Sequence, residues 1–375
     1  MNVENMKVVF LCGSLEQGRD GVGDYVRRLA VSLADKGIEV AALALNDKHC
    51  TELYEGTQQA EEKNLTVVRI PAGWTEKRRF EHAKKWIDEF APNWISLQFV
   101  PYSFHPKGIP SKLPKYLSTL KSPVRKWHIM FHELWIGTGS LKETLISIYQ
   151  RFIIIRILNA LKPAAINVSI ALNQHRLKQV GFNSAILNLF GNIPKANLVA
   201  NDSFTQPLQG KKNILYFGGP PRSEFREQVI TGLKSFCSRF PEPVNVVLVS
   251  GNSQEKDHFV KLLEAELAAC HSTIIDLGFL ETDQLSNLMT TCSAGIIRSD
   301  PRYIGKSGSA ISMLEHGLPV WMPKWDGVKT LEYEFRKELI YADLSEAVSS
   351  PGKAQYQSLL PGVVQTFISQ LKSKN

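Results

Sequence analysis

"KVVFLCGSLEQGRDGVGDYVRRLAVSLADKGIEVAALAL", Lys7 to Leu45, is the stretch that decides the architecture. Lys7–Leu11 is a short apolar run that reads as a buried strand. After a glycine-rich loop, Val22, Tyr25, Val26, Leu29, Ala30 and Leu33 recur at the i, i+3, i+4 spacing of a helix with one core-facing side. Gly37 stands where a helix ends in left-handed backbone, and Glu39–Leu45 is the next apolar run. Strand, helix and strand in this order make a parallel βαβ unit.

The same grammar continues along the chain. Leu65–Ile70, Trp94–Gln98, Trp127–Phe131 and Ala165–Ser169 read as further strands. It restarts with the strand Asn213–Phe217, the turn Gly218-Gly219 and the helix Ser223–Phe240. Val244–Ser250 and Thr273–Leu277 follow as strands flanking a helix over Glu255–Cys270. A short helix, Thr282–Thr291, and a short strand, Ala294–Ile297, complete the pattern. The alternation predicts an α/β protein with two Rossmann-like, doubly wound domains. The polar stretch Asn197–Lys212 is the expected linker between an N-terminal domain, 1–196, and a C-terminal domain, 213–360. Residues 361–375 are expected to form a helix that crosses back onto the first domain. Two such domains facing a central cleft would gather the carboxyl ends of both sheets around one ligand site.

Bulk properties narrow the function classes. A chain of 375 residues suits two domains, and 43% hydrophobic with 21% charged residues excludes disorder. Five cysteines without a C-x-x-C spacing argue against a zinc site or disulfide framework, and for a reducing, cytoplasmic setting. The chain enters its first strand without a basic-then-apolar leader. No uninterrupted apolar run of about 18 residues is read, so no membrane span is expected. Net charge is +8, and the basic excess gathers at Glu76–Trp86 and Lys107–His128. A solvated basic face, nucleotide phosphates, a polyanionic acceptor or an anionic membrane surface would each account for it. Helix-turn-helix, RNP and zinc-finger patterns are missing, which argues against nucleic acid. "ISIYQRFIIIRILNALK", Ile146–Lys162, reads as a core-packed helix; Arg151 and Arg156 leave peripheral attachment to a membrane's inner face as the alternative.

The candidate site residues all follow strands. After the first comes "GRDGVGDYVRR", Gly18 to Arg28, whose glycine order is G-x-x-G-x-G. A dinucleotide fingerprint needs G-x-G-x-x-G, so no such site is expected despite Asp47 after the second strand. Gly21 and Gly23 permit close approach of an anion or sugar to a helix start, and Asp24 is a candidate acceptor-side base. His132 and Glu133 follow Trp127–Phe131, placed to orient a sugar hydroxyl. The sequence is not H-E-x-x-H, and no metal is expected. Gly218, Gly219 and Arg222 follow Asn213–Phe217, with Arg222 able to fork onto a phosphate. Finally, Lys306-Ser307-Gly308-Ser309 opens an apolar helix that carries Glu315. Exposed amides plus a lysine suit a diphosphate, and Glu315 lies roughly 10 Å farther along the axis, the reach to a ribose.

With these residues in hand, the chain resembles the GT-B glycosyltransferases, and within them the retaining, family 4-like group. "GVGDYVRRLAVSLADKGIEVAAL" is similar to that family's first loop and helix, "FHELWIG" to the segment with its active-site histidine, and "LFGNIP" to its linker-side segment. "SGSAISMLEHGLPV" resembles its E-x7-E signature and trailing G-x-P-V. The resemblance implies that Glu315 holds the donor ribose, that His132 lies near the donor sugar, and that Gly21 and Gly23 face the donor phosphates and acceptor. Ser307 stands where the first glutamate of the signature belongs. The family's glycine-arginine and lysine clamp is not matched cleanly, so Lys306 and Arg222 are taken as substitutes. The implied activity is transfer of a sugar from a nucleotide-diphosphosugar to a carbohydrate, lipid-linked or small-molecule acceptor, with retention and without metal. No cofactor is implied beyond the donor substrate itself. A nucleotide-sugar epimerase of the same fold and a non-catalytic nucleotide- or sugar-binding protein are the rivals.

Overall fold

The computed structural model describes residues 6–137, 139–196, 206–221, 223–240, 242–329, 331–351 and 353–374. Two compact units divide the chain: 1–188 with 360–375, and 189–359. Leu189–Ala196, read from the sequence as the end of the first domain, groups with the second unit.

The first unit is built on an eight-stranded sheet. Its strands are β1 (Lys7–Cys12), β2 (Glu39–Asp47), β3 (Tyr54–Ala60), β4 (Lys63–Pro71), β5 (Trp94–Phe99), β6 (Lys126–Phe131), β7 (Ala165–Val168) and β8 (Ala185–Ile186). Their order is β3-β4-β2-β1-β5-β6-β7-β8. All neighbours are parallel except β3 and β4, an antiparallel hairpin at one edge turned by Glu61 and Glu62 in left-handed backbone. The central strands are near-continuous apolar runs because helices cover both faces. Those helices are α1 (Gly21–Ala34), α2 (Glu76–Phe90), α3 (Pro101–Phe104), α4 (Leu113–Ser118), α5 (Leu141–Leu161) and α6 (Ala171–Gln179).

The second unit carries six parallel strands: β9 (Lys212–Phe217), β10 (Val244–Val249), β11 (Ser272–Asp276), β12 (Ala294–Ile296), β13 (Val320–Trp321) and β14 (Ile340–Tyr341). They run in the order β11-β10-β9-β12-β13-β14. Its helices are α7 (Ser223–Arg239), α8 (Gln254–Leu267), α9 (Thr282–Thr291), α10 (Gly308–Glu315) and α11 (Leu344–Ser349). The chain's last helix, α12 (Leu360–Lys372), belongs to the first unit, where Phe367 stacks on Phe10 at 5.8 Å.

In each sheet the strand order reverses once, between β1 and β5 and between β9 and β12. Connections leave to opposite faces there, opening a crevice at the carboxyl ends. The α5 helix corrects one expectation. At 21 residues it is long and apolar enough, by length and composition, to cross a membrane. The sequence reading found no such segment because Arg151 and Arg156 interrupt the run. Ile153, Ile154, Ile157, Leu158 and Leu161 are buried in the core of the first unit and hold the helix there.

Candidate functional sites at the two strand-order reversals

In the second unit, the loops after β9 and β12 meet. Gly218 has φ +117°, open to glycine and not to side chains, and a Cβ there would come within 3.0 Å of the Arg298 guanidinium. Arg298, two residues beyond β12, donates from Nη1 to the Gly219 carbonyl at 2.7 Å. The Tyr216 hydroxyl donates to the same oxygen at 2.9 Å. The glycine turn is thus pinned beside a guanidinium at the reversal point. Arg222 lies outside the described residues.

After Arg298 the chain makes a short 3₁₀ turn, Pro301–Lys306, and enters α10. Ser307 caps the helix: its hydroxyl accepts from Ala310 N at 3.4 Å and lies 3.3 Å from the Ser309 hydroxyl. The cap is neutral, so the partial positive charge of the helix start remains. A Cβ on Gly308 would meet nothing nearer than Asn192 Nδ2 at 3.7 Å. Packing does not require a glycine at that position. Lys306 lies over the Tyr303 ring, 5.2 Å from its centroid. Asp300, the nearby acid, is paired with Arg302, whose hydrogen bond holds its carboxyl below the ordinary range.

Glu315 sits differently from its sequence expectation. It is 0% exposed at the carboxyl end of α10, and Oε1 accepts from Leu359 N at 2.7 Å. The Gly191 backbone is so close that a Cβ there would lie 2.6 Å from Oε2. A carboxylate at a helix carboxyl terminus opposes the helix dipole, so it needs local donors. Leu359 supplies one, and Arg336 donates to the neighbouring Leu314 carbonyl at 2.9 Å. Through Oε1 the glutamate ties the end of α10 to the segment at Leu359.

In the first unit the helix start carries the opposite charge. Asp20 caps α1, accepting from Val22 N at 3.0 Å and Gly23 N at 2.8 Å. Gly21 is the first residue of that helix. Gly23 is fixed by packing, since a Cβ would lie 2.5 Å from the Ser14 carbonyl oxygen. Asp24 pairs with Arg27 and accepts from Gly18 N at 3.0 Å, which braces the glycine loop. Burial raises the pKa of both Asp20 and Asp24 above the usual carboxylate value. Asp47 is wholly buried; burial opposes its charge, but the 2.7 Å bond from Arg69 and amides of Leu15 and His49 outweigh this and lower its pKa. It locks the β1 loop to β2 and β4.

His132, one residue beyond β6, ends a buried polar chain that crosses three strands. Asn167 donates from Nδ2 to the Ala185 carbonyl at 3.0 Å, so its Oδ1 faces His128 Nε2 at 2.8 Å, which must donate. His128 Nδ1 then accepts from the Ser96 hydroxyl at 2.7 Å. Gln98 donates to Ser96 Oγ at 2.7 Å, leaving its Oε1 to accept from His132 Nε2 at 2.9 Å. His132 is therefore a neutral imidazole with Nδ1 as its acceptor. Burial, then the neighbouring His128, lowers its pKa to about 3, and burial lowers that of His128 to about 4. The Tyr25 ring packs edge-on at 5.0 Å and fixes the imidazole plane.

The sequence reading did not single out Arg298 or the hydrogen-bonded chain behind His132. Arg298 had a signal, being a cation just beyond a short strand in "AGIIRSD". The hydrogen-bonded chain had none, because serine, glutamine, histidine and asparagine inside strands look like ordinary interruptions of an apolar run. Among the described residues no cluster of three or more His, Cys, Asp or Glu is arranged to hold a metal ion.

No protein-family model matches the chain. No curated protein matches it by sequence. Solved structures do. Sucrose-phosphate synthase from Thermosynechococcus elongatus is similar with a TM-score of 0.61 at 14% identity, over 84% of this chain and 81% of that one. Anabaena HepE, solved with UDP and glucose, gives 0.56 at 14% identity, over 98% and 92%. UDP-GlcNAc 2-epimerase from Methanocaldococcus jannaschii gives 0.55 at 11% identity, over 99% and 100%. Likeness at this distance establishes the fold, which is GT-B.

Proposed function

We propose that the chain is a glycosyltransferase that takes its sugar from a nucleotide-diphosphosugar. What supports this most is the reversal between β9 and β12, where Arg298 is pinned beside the Gly218-Gly219 turn. A guanidinium, a glycine turn and a neutral-capped helix start with Lys306 form a set suited to a diphosphate. That the similar HepE structure holds UDP and glucose supports the same reading. Gly218, Gly219, Arg298, Lys306, Ser307, Gly308 and Ser309 are the proposed diphosphate contacts. Glu315 is left out, since it is fully buried, with Oε1 bonded by Leu359 N and Oε2 close under Gly191.

The acceptor belongs on the first unit. Asp20 and Asp24 would repel a phosphate at the start of α1, whereas sugar hydroxyls donate to carboxylates. Gly21 and Gly23 shape that surface. His132, neutral and an acceptor at Nδ1, takes a hydrogen bond from a sugar hydroxyl near the reacting carbon.

In the retaining course, the bond from the anomeric carbon to the diphosphate oxygen breaks as the acceptor oxygen bonds on the same face. The acceptor proton passes to the departing phosphate oxygen. Arg298, Lys306 and the α10 amides stabilise the charge that gathers on the leaving group. Asp24 is a weaker candidate for the base, since its salt bridge to Arg27 holds its lone pairs. A cytoplasmic setting is part of the same reading, with all five cysteines free.

An epimerase is the second reading, favoured by the likeness to the Methanocaldococcus enzyme over 99% of the chain. Incubating the protein with UDP-, GDP- and ADP-sugars separates the two. Release of nucleoside diphosphate with free sugar, by slow donor hydrolysis, supports transfer. Isomerised donor with no diphosphate release means epimerisation, and binding with neither outcome means a non-catalytic protein.

A further inference from the structure

The α5 helix is apolar on two sides, and only one of them is used by the fold. Ser147, Gln150, Ile153, Ile154, Ile157, Leu158 and Leu161 are buried. On the other side Leu141, Leu145, Ile148, Tyr149 and Phe152 stand 56% to 87% exposed. Their spacing, i, i+4, i+7, i+8 and i+11, puts all five on one stripe at about 100° per residue. Five large apolar side chains in one exposed stripe are rare on a soluble surface and mark a contact.

The charges around the stripe identify the contact. Lys142 lies to one side of it, Arg151 to the other, and Arg156 at its carboxyl end, all exposed. The Arg156 guanidinium lies 5.7 Å from the centre of the Phe152 ring, and Arg151 lies 5.9 Å from that of Trp135. The adjoining α4 segment adds exposed Lys112, Lys115 and Lys121, and Lys121 donates to the Ala160 carbonyl of α5 at 2.9 Å. Residues 100–162 hold ten Lys and Arg against two Glu. One of those, Glu143, is turned about 160° or more from the centre of the stripe and accepts from Gly139 N at 3.0 Å. An apolar stripe bordered by cations complements a bilayer interface bearing anionic headgroups: acyl chains take the stripe and phosphates take the rim.

We propose that this face of α5 lies flat on an anionic membrane surface. The helix does not leave the protein to do so. Ser147 donates to the Ile136 carbonyl at 2.9 Å, and Gln150 bridges Ile136 N at 2.9 Å and the Gly108 carbonyl at 3.1 Å. Those bonds tie its inner side to the first unit. The attachment does not depend on the transfer reaction, and it would bring a lipid-borne acceptor to that unit.

Flotation of the full chain with phosphatidylcholine vesicles, with and without about 30 mol% phosphatidylglycerol, tests the assignment. Binding is expected to the anionic vesicles alone and to weaken at high salt. Leu145→Glu with Phe152→Glu, both at exposed positions, should abolish it while the circular dichroism melt stays unchanged. Arg151→Gln with Arg156→Gln should weaken it roughly tenfold or more. Three results overturn the proposal. One is failure to float with anionic vesicles, and another is equal flotation of the Glu variant. The third is a concentration-dependent dimer, seen by light scattering and broken by Phe152→Glu, without vesicle binding; the stripe would then be a contact between copies.

Discussion

The starts of α1 and α10 are built from nearly the same parts and differ first in the charge of the cap. Each follows a glycine-bearing loop beyond a strand at a reversal in its sheet. Asp20 caps α1 with a carboxylate that consumes the Val22 and Gly23 amides, and Asp24 adds a second acid in the first turn. Ser307 caps α10 with a hydroxyl, and the cations Lys306 and Arg298 precede it in the chain. A helix start favours anions by about 0.3–1 kcal/mol, and a carboxylate already there cancels the advantage. A glycine-rich loop before a helix is therefore insufficient to locate a phosphate. On the proposed reading, the sign of the cap decides.

The glycines sharpen the contrast. Gly23 is demanded by packing, 2.5 Å from the Ser14 carbonyl, whereas Gly308 has open space beside it. A fold that does not need a glycine at that place leaves its helix amides approachable by a ligand.

Four measurements would break or sharpen this comparison. The largest effect is expected for Arg298→Ala, which removes a charged donor and unpins the Gly218-Gly219 turn. Nucleoside diphosphate affinity, read by calorimetry, should fall about 10- to 100-fold. Next, Gly23→Ala should cost about 1–3 kcal/mol in chemical denaturation, while Gly308→Ala should leave stability within about 0.5 kcal/mol. Equal costs would erase the difference between the two helix starts.

A third concerns pH. His128 and His132 have folded pKa values of about 4 and about 3, below the roughly 6.5 of an unfolded histidine. The unfolded chain binds more protons below that value, so stability should be full above pH ~6.5 and decline as pH falls toward 4. Thermal melts across that range check the decline, and His128→Asn should flatten part of it. The rate should show no histidine titration between about pH 5 and 9, because His132 stays neutral throughout. The smallest effect is expected for Gln98→Leu. It frees the His132 tautomer, so kcat should fall several-fold with little change in donor KM. A matching loss in KM would point to general unfolding of the site.

Much of the fold was legible. The parallel strands from Lys7 to Val168 were visible because strands covered on both faces are apolar along their length. Tyr54–Ala60 was invisible for the opposite reason: "YEGTQQA" is a polar, exposed edge strand, and its turn uses two glutamates where glycine or asparagine would have signalled it. The two-residue strands β13 and β14 carry too little pattern to read. Local chemistry placed Lys306–Ser309 at a helix start, since a cap and its amides are neighbours in sequence. The bond from Leu359 N to Glu315 Oε1 spans 44 residues, so no local spacing announces it. Arg298 reaches the Gly218-Gly219 turn because β9 and β12 lie side by side, a pairing between segments some 80 residues apart. Contacts made by topology leave no trace in spacing.

The most direct test is a titration of UDP, GDP and ADP into the wild-type protein, Ser307→Asp and Asp20→Asn. Ser307→Asp keeps a good helix cap and changes only its charge, so folding should survive. The account predicts that diphosphate affinity falls about tenfold in Ser307→Asp and stays unchanged in Asp20→Asn. Loss of affinity in Asp20→Asn, with Ser307→Asp binding as tightly as the wild type, would contradict it.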